Sequence, residues 1–323
     1  MSTSIVTVDI GGTHARFAIA EIEAGRCISL GEAVTQHTKD HASFQTAWQD
    51  FEQQQGGTLP RKVAIAVAGP AKGDIIRFTN NPWIIRPALI REKLNVDDYV
   101  LVNDFEAVGH AVAQADARYF EPLCGPEAAL PDTGTISVIG PGTGLGVAHI
   151  WKGGDEYRVQ ATEGGHIDFA PLDSIEDAIL ARLRKRHRRV SVERVVSGPG
   201  IVDIFETLAA MEGRAVVQEE DKAIWTRGME QKDSLAAAAV DRFCLSLGSV
   251  AGDLALAQGA SGVVIAGGLG LRIREHLIRS GFPERFVSKG RFENFMAAIP
   301  VKLITHPQPG LFGAAAAFAR VHR

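Results

Sequence analysis

The chain has 323 residues, 46% of them hydrophobic and 22% charged, which excludes disorder and allows one large domain or two ordinary ones. A net charge of −4 offers no electrostatic case for nucleic acid or an anionic membrane surface. Three widely spaced cysteines, Cys27, Cys124 and Cys244, read as neither a disulfide framework nor a zinc site and suit a reducing cytosol.

The N-terminus, Met1-Ser2-Thr3-Ser4, has no basic segment ahead of its short apolar run, which argues against a secretory signal. An apolar run at residues 5–8 predicts a buried strand, and alternation at 15–21 predicts a second. Between them lies Asp9-Ile10-Gly11-Gly12-Thr13-His14-Ala15-Arg16. This is a strand–turn–strand junction, not the strand–loop–helix setting of a dinucleotide or Walker loop. Glycines in such a turn let backbone N–H groups approach a phosphate, although hairpin chemistry alone also explains them. Asp9 could hold a metal through water or satisfy local N–H groups.

Further strands are predicted at 27–35, 62–68 and 99–103, and helices at 43–54, 86–94 and 104–114. The segment Thr79-Asn80-Asn81-Pro82-Trp83 reads as a turn before proline or as a ligand contact through Asn80. Asp104 follows the strand at 99–103, at the sheet edge where α/β folds place ligands. It suits a helix cap and also a general base.

The pattern then restarts. Strands at 135–139 and 146–151 flank a second glycine turn, Gly140-Pro141-Gly142-Thr143-Gly144-Leu145-Gly146. Helices follow at 174–186, 200–212 and 234–258. A buried strand at 262–266 ends at Gly267-Gly268, which read as a strand-to-helix turn or as room for a base. A strand at 301–305 and a helix at 314–321 close the chain. The apolar stretch 254–271 is broken by Gln258, Ser261 and several glycines, so no membrane span is expected there. The two halves resemble a duplication of glycine hairpin, further strand, helix and strand, which predicts two α/β parts with a cleft between them.

Three polar residues remain open on spacing alone. Glu163 and His166 flank Gly164-Gly165, so both side chains can turn to one ligand, or they are a solvated acid and a core histidine. Glu193 binds a ligand or pairs with the basic residues before it. The run Arg182-Leu183-Arg184-Lys185-Arg186-His187-Arg188-Arg189 reads as a solvated helix end favoured by the helix dipole, with an anionic effector site as the other reading.

Six segments in order resemble the bacterial glucokinase family of the sugar kinase, heat-shock 70 and actin superfold, over nearly the whole chain. They are Asp9-Ile10-Gly11-Gly12-Thr13, Leu101-Val102-Asn103-Asp104-Phe105, the Gly140–Gly146 turn, Glu163 to Pro171, Glu193 to Gly200, and Ala266-Gly267-Gly268. The absence of paired cysteines and of an N-terminal helix-turn-helix places the resemblance with the zinc-free group, not with the repressor-type ROK proteins.

The resemblance implies an α/β, two-lobed actin-like ATPase fold with ribonuclease H-like lobes and a central cleft. The small domain would comprise 1–114 plus 305–323 and the large one 115–304. It implies ATP-dependent phosphorylation of D-glucose at the 6-hydroxyl, feeding glycolysis. Asp104 would be the base, and Asn103, Asp104, Glu163, His166 and Glu193 would hold the sugar. Asp9, Gly11, Gly12, Thr13, Gly142, Thr143, Gly144, Gly267 and Gly268 would hold ATP, with Asp9 positioning Mg2+ through water. A cytoplasmic homodimer, joined through the large lobe, is implied as well. The rival expectations are a kinase for another hexose, an actin-like ATPase module, and a sugar sensor without catalysis.

Overall fold

The computed structural model describes residues 2–78, 81–215 and 219–322. It divides into two compact units, Met1–Asp116 with Val159–Ala161 and His306–Arg323, and Ala117–Arg158 with Thr162–Thr305.

The first unit is built on β1 (Thr3–Ile10), β2 (His14–Glu23), β3 (Arg26–Leu30), β4 (Val34–His37), β5 (Lys62–Val67), β6 (Ile76–Arg77), β7 (Ile84–Ile85) and β8 (Asp98–Asn103). Its main sheet runs β3-β2-β1-β5-β8, with β4 also on β2. β1 is antiparallel to β2 and parallel to β5, and β5 is parallel to β8, so the sheet is mixed. β1 and β5 are continuous apolar runs because both faces are covered: Ile5, Val6, Val8, Ile10 and Val63 to Val67 are buried. Register sets Ile10 beside Val67 and Val67 beside Asn103. The carboxyl ends of three strands therefore reach one edge together, with Asp9 and Asp104 on it.

The strand expected at 27–35 is two strands. Alternation runs on through Gly31-Glu32-Ala33, but the chain steps there, and β3 and β4 pair with different stretches of β2. A Cβ at Gly31 would stand 3.0 Å from Ile19 O, so this close step favours glycine. The helix expected from 314 begins at Pro309 and runs to Val321, since proline suits a first helical turn. Its Gly313 and Ala314 to Ala317 let it lie against the helix Asp104–Gln114. A Cβ on Gly313 would sit 1.7 Å from Ala107 O.

The second unit uses β9 (Phe120–Cys124), β10 (Thr133–Pro141), β11 (Leu145–Gly153), β12 (Glu156–Thr162), β13 (Ala260–Ile265) and β14 (Val301–Ile304), ordered β12-β11-β10-β13-β14-β9. An antiparallel meander followed by two parallel strands repeats the first unit's plan, so the duplication read from the hairpins extends to the strand order. Here Ile139, Ile265 and Leu303 are aligned, and the edge beyond them holds Gly140 and Ala266. β9 and β12 were not expected from pattern. Both lie at sheet edges, where Pro122 and alternating polar residues are tolerated.

The core of this unit packs around the helix Ser234–Gln258, with Val240, Phe243, Leu247 and Ala251 buried against Trp225, Phe282 and Phe286. That helix is long and apolar enough to cross a membrane, but 72% of its most apolar window is buried within the fold. A buried Glu176 meets Arg242 and Arg285 at 3.6 Å each, which ties the helix Ser174–Arg184 to this core.

Candidate functional site

In the first unit the turn after β1 is held on every side. Gly11 N–H donates to His14 O at 2.9 Å. Thr38 donates from its N–H to Thr13 O at 3.0 Å and from its hydroxyl to Gly12 O at 3.1 Å. The buried Asn81 donates from Nδ2 to Gly11 O at 3.2 Å, while its Oδ1 accepts from Trp83 N–H at 2.9 Å. Asn80, the neighbour expected at the ligand, lies outside the described residues.

Asp9 projects beside this turn. Its Oδ2 meets Arg16 Nη1 at 3.3 Å, and the hairpin register places these two residues directly opposite. Burial pushes the Asp9 carboxyl up, and Arg16 offsets part of that rise. The C-terminal helix begins against the same carboxylate: a Cβ on Gly310 would stand 2.7 Å from Asp9 Oδ2. Neither Arg16 nor Gly310 was anticipated. Arg16 could have been read from the hairpin register, whereas Gly310 reaches Asp9 from the far end of the chain.

Asn103, not Asp104, caps the helix Asp104–Gln114. Its Oδ1 accepts from the N–H groups of Phe105 at 2.9 Å and Glu106 at 3.1 Å. Its Nδ2 donates to Gly69 O at 3.0 Å. One amide hydrogen is left for a ligand, so Asn103 is chiefly a brace. Asp104, the first helical residue, accepts from Phe105 N–H at 2.9 Å. Its carboxyl is pushed up to about 6, first by burial and then by the charge of Asp9. A carboxylate near neutrality can take a proton and give it back.

Two adjacent, desolvated carboxylates fit a small hard cation. Magnesium is normally held by one or two carboxylates together with water and substrate phosphates, and not by an all-protein cage.

In the second unit the turn between β10 and β11 closes with Gly142 N–H on Gly144 O at 2.8 Å. Gly142 has open space where a side chain would stand. Gly267 has φ +85° and packs against the base of this turn, a Cβ there lying 3.0 Å from Pro141 O. Gly268 faces open space. Thr143 lies within the turn. The structure thus gathers Gly142, Thr143, Gly144, Gly267 and Gly268 at one sheet edge.

Next to them stand the three polar residues. Glu163 precedes the short 3-10 turn Gly164–His166. Gly165 must be small there, since a Cβ would fall 2.2 Å from Leu145 O. His166 Nε2 lies 3.9 Å from both Glu163 Oε2 and Glu193 Oε1, too far for hydrogen bonds but close enough to share one ligand. The Glu163 and His166 side chains are 84% and 53% exposed.

The loop carrying His166 is laced to the segment before Glu193. Phe169 N–H donates to Val190 O, Val192 N–H to Ile167 O, and Arg189 Nη2 to His166 O at 2.6 Å. The basic run is therefore not simply solvated. Arg189 also pairs with Asp168, while Arg182 and Arg186 pair with Asp203 on the helix Gly200–Met211.

A family model described as glucokinase matches residues 6–321. The chain is 61% identical over 315 residues to the glucokinase of Zymomonas mobilis, covering 98% of this chain and 97% of that protein. A crystal structure of glucokinase from an Antarctic psychrotroph shares 33% identity with a TM-score of 0.85, covering 97% of this chain and 98% of that one. A ROK hexokinase from Thermus thermophilus, at 17% identity and a TM-score of 0.63 over 99% of both chains, shares the fold. The chain belongs to the glucokinase family.

Proposed function

We propose that this enzyme transfers the γ-phosphoryl group of ATP to the 6-hydroxyl of D-glucose, giving glucose 6-phosphate and ADP. The observation that carries this reading is Asp104. It is a desolvated carboxylate at the carboxyl edge of a parallel strand pair, held beside Asp9 and near neutral pKa. It takes the proton of the 6-hydroxyl as that oxygen bonds to the γ-phosphorus and the bond to the β-phosphate bridging oxygen breaks.

Glu163, His166 and Glu193 bind the sugar hydroxyls and fix which of them faces the phosphate. The turns at Gly11-Gly12-Thr13 and Gly142-Thr143-Gly144 offer backbone N–H groups to the phosphates, and Gly267-Gly268 leave room for adenine. Asp9 would hold Mg2+, which when bound would neutralise charge on the transferring phosphoryl group. Asn103 keeps Asp104 at the helix start.

The duplicated strand order supports kinship with actin-like ATPases, each sheet being one ribonuclease H-like unit. The three free cysteines, held up to about 12 by burial, suit a reducing cytoplasm. The active form is a homodimer joined through the second unit.

The test is product formation by the purified protein with Mg-ATP and glucose, mannose, fructose or N-acetylglucosamine, beside a sugar-free control. Selective turnover of glucose is expected. Preference for another hexose overturns the specificity, and ATP hydrolysis independent of sugar overturns the kinase reading.

A further inference from the structure

Glu193 has two carboxylate oxygens with two different tasks. Oε1 faces His166 Nε2 at 3.9 Å, on the sugar side. Oε2 accepts a hydrogen bond from the backbone N–H of Leu145 at 2.9 Å. Leu145 is the first residue after the Gly142-Thr143-Gly144 turn and opens β11. The contact is tight on the turn itself, since a Cβ on Gly144 would stand 2.5 Å from Glu193 Oε2.

A second tie joins the same two segments. Gly198 N–H donates to Gly142 O at 2.7 Å, and Gly198 O accepts from the buried Trp225 Nε1 at 2.9 Å. The segment from Glu193 to Gly198 is therefore latched to both ends of the glycine turn. A carboxylate whose one end is a backbone anchor cannot move toward a sugar without pulling on that anchor.

We propose that Glu193 couples the two ligands. Engagement of sugar by Oε1 sets the carboxylate that holds Leu145 N–H, and so sets the shape of the phosphate turn; an ordered turn in return holds Oε1 in place for the sugar. This rests on the kinase reading above, with Glu193 on the sugar and the turn on the phosphates. The coupling is reciprocal by thermodynamic necessity, so each ligand tightens the other by the same factor.

Gly144→Ala is the direct test. The residue lies outside the left-handed backbone region, so its backbone conformation does not require glycine. Its methyl would stand 2.5 Å from Oε2 at the flexible end of the Glu193 side chain, which must swing off Leu145 N–H. Glucose affinity is then measured by calorimetry with no nucleotide present. A loss of ~5-fold or more is expected, within the usual range of coupling between sites. An unchanged glucose affinity overturns the coupling, because the sugar would then be indifferent to whether the Glu193 carboxylate is anchored on Leu145 N–H.

The converse arm uses Glu193→Ala, which removes the acceptor of Leu145 N–H, and a non-hydrolysable ATP analogue with Mg2+ and no sugar. Weakened nucleotide binding is expected. Unchanged nucleotide binding overturns the proposal even if Gly144→Ala does not fold. Turnover by the unaltered protein separates the two readings: glucose turnover with unchanged affinities in the variants overturns the coupling alone, whereas no glucose turnover overturns the kinase reading and the coupling with it.

Discussion

The two glycine turns occupy equivalent places in two sheets of similar strand order, yet each obtains its acid in a different way. The first turn carries its own acid. Asp9 is on the strand that enters it, buried and offset by Arg16 across the hairpin. The second turn has no acid in its own sequence and borrows one, Glu193, which bonds Leu145 N–H from 48 residues along the chain. The first unit keeps charge desolvated, where protonation is poised. The second leaves Glu163 and His166 open to solvent, with Glu193 partly buried behind them, where hydroxyl groups can replace water. On the proposed reading, one plan of strands thus serves proton transfer in one copy and polar recognition in the other.

Removing the poised charge is the largest way to break this contrast. Asp104→Asn should cut turnover by ~10²-fold or more while glucose binding is kept, since an amide cannot take the proton. Loss of glucose affinity in parallel with turnover would make Asp104 a sugar ligand alone. In the unaltered protein, turnover should fall as pH drops through about 6, where Asp104 becomes protonated. The same carboxyl lowers stability at neutral pH. Its pKa rises from 3.8 to about 6 on folding, so the folded state binds the proton more tightly, and stability is lost as pH rises across that interval. Asp104→Asn should therefore melt higher than the unaltered protein at pH 7, and the gain should vanish in acid.

The support of Asp104 comes next in size. Gly313→Ala places a methyl 1.7 Å from Ala107 O, between the C-terminal helix and the helix that Asp104 opens. Overpacking of this kind costs ~1–3 kcal/mol, and the carbonyl cannot rotate away as a side chain would. A lower denaturant midpoint with a drop in turnover is expected, and an unchanged midpoint would show that the helices can separate without loss. Asn103→Ala removes the cap and the tie to Gly69, for a loss of ~0.5–2 kcal/mol. Turnover should fall with it as Asp104 loses its fixed place, whereas Asn103→Asp keeps the capping oxygen but faces Gly69 O with an acceptor, and should recover only the share due to the cap.

What the sequence revealed follows from the range of each interaction. The continuous apolar strands at Val63 to Val67 and Val263 to Ile265 are legible because burial on both faces leaves no other composition. The step at Gly31 was hidden because alternation continues on both sides of it, and only pairing with β2 shows the break. Asp9 and its glycines are legible because acid and turn are adjacent in sequence. The cap on the helix Asp104–Gln114 reads one residue late in the sequence, since Asn103 and Asp104 are both good capping residues and only geometry separates them. Leu145 N–H, Gly69 O and Gly310 were out of reach. They act through backbone or through the absence of a side chain, and neither leaves a signature at a distance.

The smallest expected effect concerns the basic run. Arg189 joins His166 O and Asp168 through two different nitrogens of one guanidinium, at 2.6 Å each. Lysine has a single charged nitrogen and cannot span both positions. The pair is more than half exposed, so the contact is worth no more than ~1 kcal/mol, which limits the rise in glucose KM for Arg189→Lys to about fivefold. Turnover at saturating glucose should stay unchanged, because Arg189 orients the His166 loop and not the Asp104 carboxylate. A fall in turnover at constant KM would mean that the loop shapes the transition state and not the bound sugar. The contrast between a unit for proton transfer and a unit for recognition would then no longer hold.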